Sequence, residues 1–296
     1  MFALILLHPA TFSWTDWTTY PSFMVGWLLL GGAYFLAAGP LRHHFPGSSP
    51  VPARKVALFV ASQIVMLLSL QGPLHDLSDY FLFSAHMVQH LLLILIWAPL
   101  LLGSLTGWMV APLFRIPGVL PVLRFLTRPL VAFGLTNAIF AFWHFPGPYD
   151  LMMQDHAVHI TMHLMIMVMG VFMWWPVGSP TPAIPRISPP LQMVYLFVMG
   201  VPMMVVAAFI ALSSTPLYQW YVEAPRITGL SPLEDQRLGG VIMWVPGALV
   251  IWLAITYVYF RWTQPEVEED NQRLVTRRRS RAEPAPRISV PRYPGS

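Results

Sequence analysis

Long apolar runs, separated by short polar connectors, dominate this chain. Seven runs approach the length of about 17 to 25 residues that a helix needs to cross the hydrocarbon core of a bilayer. They cover about 22–39, 56–74, 84–103, 129–145, 157–176, 190–211 and 238–260. Because unpaired backbone groups are costly in lipid, such segments cross the bilayer as helices. The pattern therefore predicts an all-α fold, a polytopic membrane helical bundle with seven transmembrane helices within residues 1–262.

The segments between and after these runs are rich in proline or in charge. Proline removes a backbone donor and ends helices, so 43–52, 176–190 and 213–226 are predicted to be loops. The stretch 107–125 is apolar but contains three prolines and two arginines, which predicts an interfacial hairpin on the cytoplasmic side. Over 263–296 large apolar residues are few and the charges are segregated, which predicts a disordered, charged cytoplasmic tail.

The distribution of basic residues predicts the orientation of the bundle. Arginine and lysine accumulate in cytoplasmic loops, and all but two of the seventeen basic residues fall on one side of the predicted spans. The exceptions are Arg226 and Arg237. We therefore expect the N-terminus outside and the C-terminus inside. With 56% hydrophobic and only 10% charged residues, and a mean hydropathy of +0.58, the composition also indicates a membrane protein.

Histidines concentrate near the outer ends of the predicted spans, where all ten except His43 and His44 are expected. Residues four apart share a helix face, so His86 and His90 form one stripe. Three histidines at the start of the fifth span form a second stripe. Ionisable groups in membrane segments are costly and therefore mark functional sites. We predict an outward-opening metal site formed by His86, His90, His144, His156, His159 and His163.

The residue types around this site favour copper. The chain contains no cysteine, which excludes disulfides and thiolate ligands. Imidazole, with methionine as the remaining soft ligand, suits copper and especially Cu(I), although zinc, nickel and haem iron also accept histidine. Near the same face, Asp76 and Asp79 are predicted to accept a hydrogen bond from an imidazole and fix its tautomer, and Asp235 and Gln236 are further candidates for outer partners of the site.

Several ordered motifs carry a resemblance to a known family. They are HMVQHLLL from His86, the sequence Trp143-His144-Phe145, DHAVHITMHLMIMVMGVFMWWP from Asp155, and DQRLGGVIMWVPG from Asp235. Together they resemble the Caa3-type CtaG family of bacterial cytochrome c oxidase assembly factors, over most of 20–262.

The resemblance implies a multi-pass protein of the bacterial plasma (inner) membrane that is needed to make an active haem-copper oxidase. It implies that the protein helps copper reach the oxidase on the outer side of the membrane. The implied partners are cytochrome c oxidase subunits, periplasmic copper chaperones and membrane lipid, with no nucleic acid and no enzymatic activity. The family's histidine motifs fall on the six predicted ligands, and its acidic-glutamine motif falls on Asp235 and Gln236.

Two other functions are compatible with the sequence. Histidines of the third and fifth spans could ligate haem b, although such a site needs only one imidazole from each helix. A transporter could use the imidazoles as a relay, but the inner halves of these spans, LILIWAPLLLG and VMGVFMWW, contain almost no polar groups. A retinal protein is excluded because the only lysine, Lys55, lies outside the last span, and no HExxH motif indicates a hydrolase.

Overall fold

The computed structural model describes residues 11–15 and 17–282, with side chains as far as 264. It is all-helical, with no strand among these residues, which confirms the predicted fold class. The helices are α1 Pro21–Ala38, α2 Ala53–Leu70, α3 Pro73–Tyr80, α4 Phe83–Ser104, α5 Gly107–Val110, α6 Val119–Leu126, α7 Pro129–His144, α8 Pro146–Gln154, α9 His156–Gly178, α10 Pro189–Ala211, α11 Gln219–Glu223 and α12 Pro232–Ala282.

Six of these helices are long and apolar enough to cross a membrane: α1, α2, α4, α9, α10 and the part of α12 over Pro232–Gln264. The predicted fourth span corresponds to α7, which has only 16 residues. Helix α7 becomes a seventh candidate only together with α6, from which it is bent by 75°. The protein therefore has six or seven candidate spans, and the orientation of the bundle stays a prediction.

The second predicted span, 56–74, ends earlier than expected. Helix α2 stops at Leu70, and the chain turns at Gly72, whose φ of +68° favours glycine. A Cβ atom at this position would also lie 2.8 Å from the Trp17 ring. Helix α3 then starts at Pro73 and forms a separate segment before α4. This turn moves His75 away from the end of a span and into the interior of the bundle.

Helix α4 contains a wide turn directly after its second histidine. Residues Leu92–Trp97 form a π-helical segment, a feature that often occurs at functional sites. The Trp174 indole Nε1 of α9 donates a hydrogen bond to the Ile94 carbonyl within this segment, at 2.9 Å. Gly170 lets the two helices approach there, since a Cβ on it would lie 3.4 Å from the Ile94 Cα. Helices α4 and α9 are thus fixed against each other just below the histidines.

Helix α12 packs closely against α4 and α10 at a pair of glycines. A Cβ on Gly239 would lie 2.3 Å from Cδ1 of Phe83, and one on Gly240 would lie 2.6 Å from the backbone nitrogen of Ala211. Both positions therefore require the absence of a side chain. The contact anchors the start of α12 beside the start of α4.

The segment 107–125 is broken into short helices, with a 3₁₀ turn over Ala111–Arg115 between α5 and α6. The side of the membrane on which it lies stays a prediction. Helix α12 continues to Ala282, beyond the predicted start of the tail at 263. Residues 283–296 lie outside the described residues, and disorder of the tail there stays a prediction.

Candidate metal centre

Six histidines from four helices meet at one end of the bundle. They are almost completely buried, none being more than 8% exposed. We call them the imidazole cluster, and its members are His75 of α3, His86 and His90 of α4, His144 of α7, and His159 and His163 of α9. Five of them belong to the predicted ligand set, and His75 joins them because of the turn at Gly72.

The two histidine stripes on α4 and α9 face each other. The ring centroid of His86 lies 5.8 Å from that of His159 and 6.0 Å from that of His163. The ring centroid of His90 lies 5.7 Å from that of His163 and 6.1 Å from that of His144. Within α4, the rings of His86 and His90 are 4.2 Å apart. Side chains from three helices therefore line one small polar volume.

His75 and Asp79 form the acidic edge of this cluster. The Gln89 side-chain amide donates to Nδ1 of His75 at 3.0 Å, so the proton of this imidazole lies on Nε2. That nitrogen lies 3.3 Å from Oδ2 of Asp79, and Nδ1 of His159 lies 3.6 Å from the same oxygen. Ligand atoms of Asp79, His86 and His159 lie within 4.8 Å of one another, a spacing that could hold a metal ion. Asp79 thus lies beside two imidazoles and is also close enough to serve as a ligand itself, and its role as an outer partner stays a prediction.

Two tyrosines orient the ring of His86. The Tyr221 hydroxyl donates its proton to the Ser78 carbonyl at 2.5 Å, and Tyr149 donates to the Tyr221 oxygen at 3.3 Å. Burial raises the pKa of both phenols well above the usual range, so both keep their protons. Since the Tyr221 proton is already used, its oxygen accepts from Nδ1 of His86, at 3.3 Å. Nε2 of His86 is then the unprotonated nitrogen and carries a free lone pair.

His144 has its tautomer fixed by the backbone. Its Nδ1 donates to the Phe140 carbonyl of the preceding helical turn, at 2.6 Å. Because a neutral imidazole has one protonated nitrogen, Nε2 carries the lone pair. This arrangement, with one nitrogen held by an outer partner and the other left for the ion, is typical of histidines that ligate metals.

Four buried imidazole nitrogens have no hydrogen-bond partner among the described residues: Nε2 of His86, His90 and His144, and Nδ1 of His163. His159 and His163 form one contact through their Nε2 atoms, at 2.9 Å. Leaving a buried polar atom unpaired costs about 1–3 kcal/mol. Four such atoms within one cluster are therefore expensive unless they bind something, and a metal ion satisfies nitrogen lone pairs directly.

Two predicted site residues lie at the rim of the cluster. His156 is exposed, and its ring stacks against Tyr20 with the centroids 6.0 Å apart. Asp76 accepts a hydrogen bond from the Thr18 hydroxyl at 2.7 Å. Their roles as ligand and as outer partner stay predictions.

Asp235 and Gln236 act on the backbone around the cluster. Asp235 accepts hydrogen bonds from the amides of Phe83 and Ser84, at 2.8 and 3.2 Å, and from the Ser84 hydroxyl at 2.5 Å. It therefore caps the first turn of α4, the helix that carries His86 and His90. Gln236 accepts from the Leu217 amide at 2.6 Å. These contacts hold α4 and the connector before α11, and the role of both residues as outer partners of the metal site stays a prediction.

A cavity of about 510 Å³ adjoins the cluster. His75, Asp79, His159 and His163 line its polar part, and His156 lies on its wall. Most of the other lining residues are apolar and come from α1, α2, α4 and α9. The buried imidazoles are thus reachable from a space between the helices.

Comparison with known proteins identifies one family. Residues 32–265 match the sequence model described as cytochrome c oxidase caa3 assembly factor (Caa3_CtaG). This match confirms the resemblance drawn from the motifs and includes every member of the imidazole cluster. The chain matches no curated protein and no solved structure.

Proposed function

Because this chain belongs to the cytochrome c oxidase caa3 assembly factor family, we propose that it binds Cu(I) in the imidazole cluster and passes the ion to the oxidase. The role in oxidase assembly follows from the family. The observation that supports copper is the set of four buried imidazole nitrogens, on His86, His90, His144 and His163, that have no partner within the described part of the chain. This donor set consists of neutral nitrogen ligands, which copper accepts more readily than magnesium or calcium.

The electrostatics of the cluster suit a cation of low charge. Six buried imidazoles and one carboxylate, that of Asp79, surround the site. A bound monovalent ion would be offset by the carboxylate in a region where an unpaired charge is costly. In this proposal copper is the cargo, and its binding and release need no redox or hydrolytic step. We therefore propose that the protein is a carrier rather than an enzyme.

The proposed delivery takes place at the outer face of a bacterial plasma membrane. Oxidase subunits are the partners that receive the ion, and a periplasmic copper chaperone supplies it. The cavity beside the cluster gives the route of exchange, because His159 and His163 line both the cavity and the site. An ion held by imidazoles from separate helices can be released by a small movement of one helix.

Copper binding by the purified protein tests this proposal. We expect the full chain, reconstituted anaerobically in mild detergent, to bind Cu(I) in competition with a chromogenic chelator. Alanine substitution of His90 or His163 should weaken binding at least about tenfold, since loss of even an outer partner costs about 10- to 100-fold in metal affinity. X-ray absorption at the copper edge should show nitrogen ligands.

The matched controls for this experiment are His43→Ala and His44→Ala. Both histidines are exposed and lie in a 3₁₀ turn after α1, outside the cluster. Equal affinity in all four variants would refute the site. A Soret band with stoichiometric haem in the purified protein would instead favour the haem-binding alternative.

Tyr221→Phe provides a second, more selective test. The change leaves Nδ1 of His86 without its acceptor and frees the imidazole to change tautomer, while the ring that packs in the interior is retained. We expect Cu(I) affinity to fall about tenfold with the fold intact by circular dichroism. The control is Tyr195→Phe, which removes a buried hydroxyl bonded to the Met173 carbonyl, distant in the chain from every histidine. If both variants bind Cu(I) equally well, Tyr221 does not position the site.

A further inference from the structure

A second large cavity lies at the end of the bundle opposite the imidazole cluster. Its volume is about 870 Å³. It is bounded by the first turn of α2, the last turns of α4 and α9, and the segment of α12 between Val250 and Arg261. These are the ends of α4 and α9 opposite to the ends that carry the histidines, so the cavity and the imidazole cluster are different sites.

Four cations line this cavity: Arg54, Lys55, Arg186 and Arg261. Among the residues described, its lining includes no aspartate or glutamate. The three arginines are exposed. Four converging positive charges without a carboxylate repel one another, which favours binding of an anion.

Lys55 is held in place by the end of α4. Its ammonium donates to the carbonyls of Gly103 and Leu105, at 3.1 and 2.5 Å. These carbonyls lie at or beyond the last turn of the helix, where backbone acceptors lack intrahelical partners. A lysine ammonium has three donors, so one donor remains for a ligand. The cation is therefore positioned by the fold and is not merely a mobile surface charge.

The remainder of the cavity wall is apolar and built from spanning helices. Leu58 of α2, Leu95 of α4 and Val250, Leu253 and Ala254 of α12 contribute to it. Leu253 is 59% exposed, so the wall is continuous with the surface that α12 presents to the surrounding lipid. A small soluble anion would bind the cations but leave this apolar wall without a partner. The acyl chain of a lipid would pack against the wall.

We propose that this cavity binds an anionic glycerophospholipid, with its phosphate among Arg54, Lys55, Arg186 and Arg261 and an acyl chain along α2, α4 and α12. Basic pockets between membrane helices on the cytoplasmic side are suited to anionic headgroups. The four cations all lie in or next to segments predicted to be cytoplasmic. This site is independent of copper, and the lipid acts by joining α2, α4, α9 and α12 at one end of the bundle.

Lipid binding to the full-length purified protein tests the proposal. After delipidation in detergent, we expect phosphatidylglycerol to be retained in native mass spectrometry and to raise the thermal unfolding midpoint, with phosphatidylcholine doing neither. The triple variant R54Q/R186Q/R261Q should lose most of the preference for phosphatidylglycerol over phosphatidylcholine. Each substitution should weaken phosphatidylglycerol binding about fivefold, which corresponds to the ~1 kcal/mol expected for one cation near an anionic headgroup.

The matched control is R42Q/R115Q/R128Q, which removes the same charge from predicted cytoplasmic segments outside the cavity lining. Equal losses in the two triple variants, or equal binding of the two lipids, would overturn the proposal. Inorganic phosphate that protects the protein as well as phosphatidylglycerol would also overturn it, in favour of a soluble anion. If the first triple variant does not purify, the single variants R54Q and R261Q should each bind phosphatidylglycerol more weakly than R42Q does.

Discussion

The substitution Gly240→Val is expected to destabilise this protein more than any other single change discussed. A Cβ at this position would lie 2.6 Å from the backbone nitrogen and 2.8 Å from the Cα of Ala211, so rotation of a side chain cannot relieve the overlap. Overpacking of a tight contact costs about 1–3 kcal/mol and occasionally more. We expect the thermal midpoint in detergent to fall by roughly 2–12 °C, on the scale of about 2–4 °C per kcal/mol that holds for chains of about 150–250 residues.

Gly134→Val is the control for this change. Gly134 also lies in a helix, α7, and a Cβ there would meet nothing within 4 Å. It therefore measures the change in helix propensity without the overlap. If both variants melted at the same temperature, the close approach of α10 and α12 would not be required for stability.

The Gly240 variant should also affect the imidazole cluster from a distance. Asp235, five residues earlier in α12, caps the first turn of α4 through Phe83 and Ser84. Displacement of α12 from α10 would move this carboxylate relative to the helix that carries His86 and His90. We therefore expect the fraction of Gly240→Val that remains folded to bind Cu(I) more weakly than the Gly134 control.

The second large effect is expected in cells. A His86→Ala/His163→Ala double variant should reduce caa3-type oxidase activity in membranes to the level of a strain that lacks the protein, because it removes two of the four unpartnered nitrogens. We expect at least about a tenfold loss at limiting copper, in line with the affinity cost of damaging a metal site. Excess copper in the medium should restore part of the activity. The measurements are oxygen consumption and the copper content of the purified oxidase.

His43→Ala is the matched control, since this histidine is exposed and lies in the 3₁₀ turn after α1, outside the imidazole cluster and the predicted ligand set. Its oxidase activity should stay near that of the unmodified strain. Protein abundance in the membrane must be equal in all strains. If the double variant, at normal abundance, yields oxidase with full copper content, the cluster does not supply the metal.

Much of the architecture is predictable because lipid imposes a simple rule on sequence. A helix must satisfy its own backbone in hydrocarbon, so length and hydropathy alone locate α1, α2, α4, α9, α10 and α12. The same rule does not locate bends. Helix α7 has only 16 residues and meets α6 at 75°, and neither feature changes the apolar character of the run that contains it.

The facing pairs on α4 and α9 could be predicted because i and i+4 side chains share a face in any helix. The inclusion of His75 in the imidazole cluster could not be predicted in this way. It depends on the turn at Gly72, whose positive φ sends α3 back against the cluster. The spacing of four residues between His75 and Asp79 indicates that the two side chains share a helix face. That indication holds only if 73–80 forms a helix, which the sequence pattern did not predict.

The roles of Asp235 and Gln236 show a different limit. Their expected position near the outer face suggested contact with the imidazoles, but proximity to a site does not determine which polar group a carboxylate satisfies. Helix α4 begins in a buried environment, where its first amides need acceptors. Asp235 meets that need, and no periodicity in its own helix indicates this partner from another part of the chain.

The π-helical segment of α4 divides this helix into two halves with different tasks. The half before Leu92 carries His86 and His90, and the half after Trp97 contains Gly103, whose carbonyl accepts a hydrogen bond from Lys55. A π turn contains more residues than an α turn, so the two halves do not continue one regular register. Substitutions that rotate the histidine-bearing half of α4 to suit a different ion need not rotate the half that contains Gly103. The end of this helix proposed to bind metal and the end proposed to bind lipid can therefore diverge independently between related proteins.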